Sequence, residues 1–101
     1  MINPQLKRVA YRNKKITQAA KGEECTVRAA ARCESSETTV FSHFNGEWAG
    51  KGGSQKADDC AGVFACYACH RMIDKYQVDD HILLRAYYRT IRRLIDKGVI
   101  S

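Results

Sequence analysis

Three groups of residues in this chain have the types and spacings of a chemical site. Cys66 and Cys69 form Cys-x-x-Cys, and Cys25 and Cys33 form a wider pair with seven residues between them. Four thiolates satisfy a borderline-soft cation, and a short Cys-x-x-Cys turn lets two sulfurs face one point. The two pairs, roughly forty residues apart, therefore read as two knuckles closing on one tetrahedral Zn²⁺. The second pair falls where a helix should begin, and the helix dipole favours thiolate there. A thioredoxin-like redox pair would need a βαβ context that is missing. Cys66-Tyr67-Ala68-Cys69-His70 also matches the Cys-x-x-Cys-His pattern of c-type haem attachment, which needs export and leaves Cys25 and Cys33 idle. Two structural disulfides conflict with the missing signal peptide. Cys60, the fifth cysteine, reads as a small buried hydrophobe.

The second group is His70 with Asp74. At i and i+4 they project from one helical face, where imidazole and carboxylate can share a divalent ion or simply hydrogen-bond to each other. The third is His43, which closes the apolar stretch Val40-Phe41-Ser42-His43 and precedes a glycine-rich loop. A histidine at a strand end can serve as general base near neutral pH, or can merely be packed. His81 reads as the first turn of the last helix. The loop carries Lys51 and Lys56 with Asp58 and Asp59, a composition able to cradle a phosphate through backbone N–H groups and charge.

These groups need elements to position them. Asn3-Pro4 starts a helix, carried by Leu6, Val9, Ala10, Ile16, Ala19 and Ala20 and stopped by Gly22. Residues 24–28 (ECTVR), 38–44 (TTVFSHF) and 62–65 (GVFA) read as short strands, and residues 45–58 as a long loop. A helix is predicted from about Cys66–Cys69 to Lys75. Asp79 can cap a last helix over 80–97, ended by Gly98. Its apolar face carries Leu84, Tyr87, Tyr88, Ile91, Leu94 and Ile95, and its other face Arg85, Arg89, Arg92 and Arg93. The sum is a small α+β domain. It comprises a basic N-terminal helix (1–21), a zinc-binding core (22–76) and a C-terminal amphipathic helix (79–98).

With 101 residues, 45% hydrophobic and 28% charged, one soluble domain is expected. No apolar run approaches a membrane span, and the N-terminus lacks the apolar segment of a secretory signal, which points to the cytoplasm. Residues 1–21 carry +6, residues 22–81 carry −4 and residues 82–101 carry +4, the last from Arg85, Arg89, Arg92, Arg93 and Lys97 against Asp96. Basic ends suit a polyanion, because neutralising phosphates releases counterions.

Together these residues resemble the HNH / His-Cys-box group of ββα-metal nucleases. More closely, the chain resembles the YbcO-type nucleases of phages and prophages. The matching stretches are GEECTVR with Cys33 eight residues after Cys25, ETTVFSHFN, GKGGSQKADD and GVFACYACHRMID, within residues 22–74. The resemblance implies a zinc-stapled, treble-clef-like ββα-metal domain with flanking helices. It also implies metal-dependent hydrolysis of DNA phosphodiesters in a phage recombination or replication context, inside a bacterial host. By position, His43 matches the general base, His70 the catalytic-metal ligand and Asp74 its companion. Cys25, Cys33, Cys66 and Cys69 match the structural zinc site. The catalytic cation would be Mg²⁺ or another divalent ion. The chain departs from the group at Ser42, where many members carry Asp or His as a further ligand. The middle Asn of the group has no clear match, and Asn45 or Asp59 could take over its orienting role.

Two functions from different classes follow. One is an endonuclease in which Lys51, Lys56, Arg85 and Arg89 bind the DNA phosphates. The other is a catalytically silent zinc module that binds DNA or a recombination protein. The last helix could also bury its Tyr/Leu/Ile face in a homodimer.

Overall fold

The stretches VFSH and GVFA are rich in β-branched and aromatic side chains and bounded by turn residues, and they pair. In the computed structural model, which describes residues 9–29, 33, 36–52 and 55–101, they form β1 (Val40–His43) and β2 (Gly62–Ala65). The pairing is antiparallel, with Phe41 opposite Phe64 and His43 opposite Gly62. Three helices accompany this two-stranded sheet among the described residues: α1 (Lys14–Gln18), α2 (Tyr67–Asp74) and α3 (Asp80–Asp96). The architecture is a small α+β domain, as the sequence predicts.

All of β2 is buried, because both faces of the sheet are covered. Val63 and Ala65 join Cys66, Cys69 and Ile73 in one core, on the α2 side. Phe64, pointing the other way, joins Ile16 from α1, Ala20 from the turn after it and Leu94 from α3. The free edge of β2 is closed by two threonines. Phe64 N–H donates to Thr90 Oγ1 at 3.1 Å, Thr90 and Thr26 hydroxyls meet at 2.9 Å, and Thr26 Oγ1 donates to Phe64 O at 2.8 Å. This ring satisfies both backbone groups of Phe64 that β1 does not reach. At the other end of β2, a Cβ on Gly62 would stand 2.5 Å from Ser42 O, so only glycine lets β1 approach this closely.

α3 stops as a glycine-terminated helix should. Gly98 takes φ 74°, its N–H bonds Ile95 O, and Val99 N–H bonds Leu94 O. Asp79 stands at the N-cap in extended conformation, without a side-chain capping bond. Lys97 and Arg93 tie the end of α3 to Glu23, at 2.9 and 3.0 Å. The hydrogen bond from Arg93, with help from Lys97, outweighs burial and holds the Glu23 carboxyl below its ordinary range.

Three sequence expectations are corrected. The N-terminal helix is shorter: among the described residues it covers only Lys14–Gln18, with Asn13 as its cap. The N–H groups of Tyr11 and Asn13 are taken by the Asp58 and Asp59 carboxylates, which hold this stretch against the loop instead of in a helix. Asn3, Pro4 and Leu6 lie outside the described residues. Residues 24–28 are not a strand. Their one backbone bond to β2 runs from Thr26 N–H to Phe64 O, and Arg28 turns away at φ 56°. The apolar face of α3 is rotated from the predicted one. Its buried line is Ala86, Thr90 and Leu94, while Leu84 and Tyr88 are 69% and 70% exposed. Small residues at 86 and 90 allow α3 to lie close against β2.

Candidate functional site

The four predicted cysteines do converge. One sulfur from each of Cys25, Cys33, Cys66 and Cys69 lies within 4.8 Å of every other. Tetrahedral zinc with Zn–S bonds of ~2.3 Å sets its sulfurs about 3.8 Å apart, and Cys33 Sγ stands 3.8 Å from Cys69 Sγ. That is far beyond a disulfide bond, and none of the five cysteines is joined in one. The donor set and its spacing fit a metal ion. Cys66 is the N-cap of α2 and Cys69 lies in its first turn, where N–H dipoles favour thiolate. Thr38 Oγ1 accepts the Tyr67 N–H and completes that helix start. Burial, and the neighbouring sulfur of Cys25, push the Cys33 thiol up from its ordinary value. A bound divalent cation reverses that preference.

One turn along α2, His70 and Asp74 form the predicted i, i+4 pair, with His70 Nε2 3.3 Å from Asp74 Oδ2. Neighbouring ligands of a six-coordinate ion with ~2.1 Å bonds stand about 3.0 Å apart, so these two atoms fit one such ion. The other ring nitrogen, Nδ1, meets Ser42 Oγ at 2.9 Å. Ser42 is fully buried on the α2 face of β1. Spent on this bond, its hydroxyl fixes the orientation of the His70 ring.

His43 follows Ser42 and, by strand alternation, leaves β1 on the other face. Its Nε2 lies 2.8 Å from Asp59 Oδ1, and its ring meets Phe41 edge-on at 5.0 Å. Burial raises the Asp59 carboxyl, but the bonds from His43 and from Asn13 N–H, with the Arg12 charge, outweigh it and hold it below its ordinary range. An ionised carboxylate only accepts, so Nε2 is the donor in this bond, and in the neutral tautomer Nδ1 carries the lone pair. Arg12 anchors this corner by donating to Ala57 O at 2.7 Å and Lys56 O at 2.9 Å.

The two histidines thus stand in separate hydrogen-bonded groups, leaving one strand at adjacent residues. Of the two candidates for an orienting role, Asp59 touches His43. Asn45 instead donates to Ile73 O at 3.2 Å and ties the end of β1 to α2. Lys51, Lys56 and Arg85 are exposed. Arg89 is half-buried and donates to Thr26 O at 2.9 Å, so it also braces the fold. Cys60 is exposed, not buried as predicted; its carbonyl accepts from the Tyr87 hydroxyl on the surface. His81 is in the first turn of α3, as predicted. The sequence reading missed the parts of Ser42, Asn13 and Arg12. The only signal for Arg12 was positive charge, and its partners are distant backbone carbonyls.

The family model described as "Putative nuclease YbcO" matches residues 14–99. Among solved structures, one titled "Structure of a putative bacteriophage protein from Escherichia coli str. K-12 substr. MG1655" is 31% identical, with a TM-score of 0.62. The match covers 81% of this chain and 98% of that one. No curated protein matches the chain. With most of its length matched by the family model, the chain belongs to the family described as "Putative nuclease YbcO".

Proposed function

We propose that this protein is a metal-dependent DNA endonuclease of the ββα-metal kind, with β1, β2 and α2 as its catalytic unit. It would act in phage recombination or replication, in the cytoplasm of a bacterial host. The observation that carries the reading is the pairing of His43 with an ionised Asp59, one residue along β1 from the serine that holds His70. With Nε2 committed to Asp59, His43 takes a proton from the attacking water at Nδ1. Asp59 holds the ring in that tautomer and favours the imidazolium that forms. His70 Nε2 and Asp74 would hold Mg²⁺ or another divalent cation, and Ser42 keeps the His70 ring turned towards it. A cation bound there supplies charge stabilisation to the phosphorus centre and the leaving 3′ oxygen. Cys25, Cys33, Cys66 and Cys69 would hold Zn²⁺, which pins the segment after α1 to the start of α2. Exposed Lys51, Lys56 and Arg85 meet phosphates, and Arg89 adds its charge from beside Thr26. The scissile strand would cross the C-terminal end of β1, where His43 stands next to Ser42, the residue that holds the His70 ring.

A second reading, a zinc module that binds DNA without cutting it, is favoured by one observation. Ser42 is buried and spent on His70, so two side chains and not three face the cation. Cleavage of a DNA panel (supercoiled plasmid, linear duplex, single strand, four-way junction) separates the two. The nuclease reading expects cleavage with Mg²⁺ or Mn²⁺, and a need for at least about tenfold more cation in His70→Ala. DNA binding with no cleavage under either ion supports the silent module.

A further inference from the structure

The solvent side of α3 faces the segment that leads into the Cys25 knuckle, and between them lies an open cleft of about 550 Å³. Four arginines line it: Arg28 from the knuckle and Arg89, Arg92 and Arg93 from α3. Glu23 and Glu24 line it too, which leaves two net positive charges. The Glu23 charge is already consumed by Arg93 and Lys97. Among the described residues Arg92 holds only a surface pair with Asp96, at 3.1 Å, and such pairs are readily exchanged for another anion. Arg28 has no ion pair or hydrogen bond with any described residue. It is exposed and held at φ 56°, a left-handed conformation that a long side chain rarely adopts. Tyr88, 70% exposed on α3, stands in the same cleft. An aromatic face beside the Arg28 guanidinium and the loosely paired one of Arg92 is the kind of surface that binds a single nucleic-acid strand: cations for the backbone, a ring for a base.

We propose that this cleft binds an unpaired DNA strand, with Arg28 and Arg92 on phosphates and Tyr88 stacked on a base. The identity of the polymer rests on the nuclease reading. The site itself is built on α3 and the knuckle, apart from His43 and His70. The consequence is a substrate with a single-stranded arm next to the cleavage point.

Fluorescence anisotropy of a labelled single-stranded oligonucleotide, and of the matching duplex, tests this with the full zinc-loaded chain in buffer free of Mg²⁺ and Mn²⁺. The variants are Arg28→Asn, which removes the charge yet tolerates the left-handed backbone, Arg92→Gln and Tyr88→Ala. Each arginine variant should bind the single strand more weakly and lower the salt slope by about 0.7. Tyr88→Ala should weaken single-strand binding about fivefold or more with the slope unchanged, and leave the duplex alone. Wild-type affinity and slope in both arginine variants overturn the cleft. Equal loss on strand and duplex in Tyr88→Ala overturns the preference for an unpaired strand. Cleavage assays on the same samples keep the readings apart. Cleavage by wild type with unaltered binding in the variants overturns the cleft and leaves the nuclease. The expected binding changes without cleavage by wild type support the cleft and overturn the nuclease.

Discussion

At His43, whether the imidazole is a packed ring or a base depends on which nitrogen is left free. Asp59 takes up Nε2, which leaves Nδ1 of the neutral ring for a proton, and the bonds from His43 and Asn13 N–H, with the Arg12 charge, outweigh burial and hold the Asp59 carboxyl below its ordinary range. Replacing Asp59 with Asn keeps the shape and an acceptor for Asn13 but removes the charge that selects the tautomer. Asp59→Asn is therefore expected to lower the cleavage rate by about 10² to 10⁴, with DNA affinity within about twofold. Single-turnover rates alongside binding measurements check this, and an unchanged rate would mean that Asp59 only supports the fold. Both residues were visible in the sequence, His43 as a candidate base and Asp59 as a candidate orienting group. Their contact was not, because the two lie sixteen positions apart in the chain and no periodicity connects a loop carboxylate to a strand end. Ser42 shows the converse. Its identity read as a missing ligand, while its burial against His70 depends on the packing of α2 on β1.

At the level of elements, β1, β2, α2 and α3 were legible because alternation, capping residues and Gly98 mark them locally. The segment 24–28 was misread because ECTVR has strand propensity but only one residue, Thr26, reaches β2. The α3 face was misread because its closest contact is made by Ala86 and Thr90, not by its largest apolar side chains. Thr90 looks like a surface residue in the sequence, yet it is fully buried and closes the edge of β2 with Thr26. Thr90→Val keeps the shape and leaves the Phe64 N–H buried without a partner. A loss of about 1–3 kcal/mol is expected, read from the denaturant midpoint. A change below about 0.5 kcal/mol would mean that the edge is closed some other way.

For the whole molecule, the charge pattern has a structural meaning that the sequence only hinted at. Carboxylates of the acidic centre bolt down the basic ends: Asp59 faces Arg12, and Glu23 holds Arg93 and Lys97. The cysteine cluster adds a second tie, between the segment after α1 and the start of α2. If those sulfurs hold zinc, its binding energy is folding energy. The purified chain should carry about one zinc per molecule, and a strong chelator should lower the thermal midpoint by at least about 10 °C. A midpoint unmoved by removal of the metal would show that the four thiols stabilise the fold without an ion. No helix among the described residues is long and apolar enough to cross a membrane.

The most direct test of the nuclease account is plasmid nicking in Mg²⁺ or Mn²⁺ by the zinc-loaded wild type beside His43→Ala. Metal content and thermal midpoint are measured on the same samples. The account predicts that wild type nicks the plasmid, while His43→Ala loses at least about 10²-fold in rate and keeps its zinc and its fold. Equal nicking by the two proteins would contradict it, because the proton would then be taken by a group other than His43.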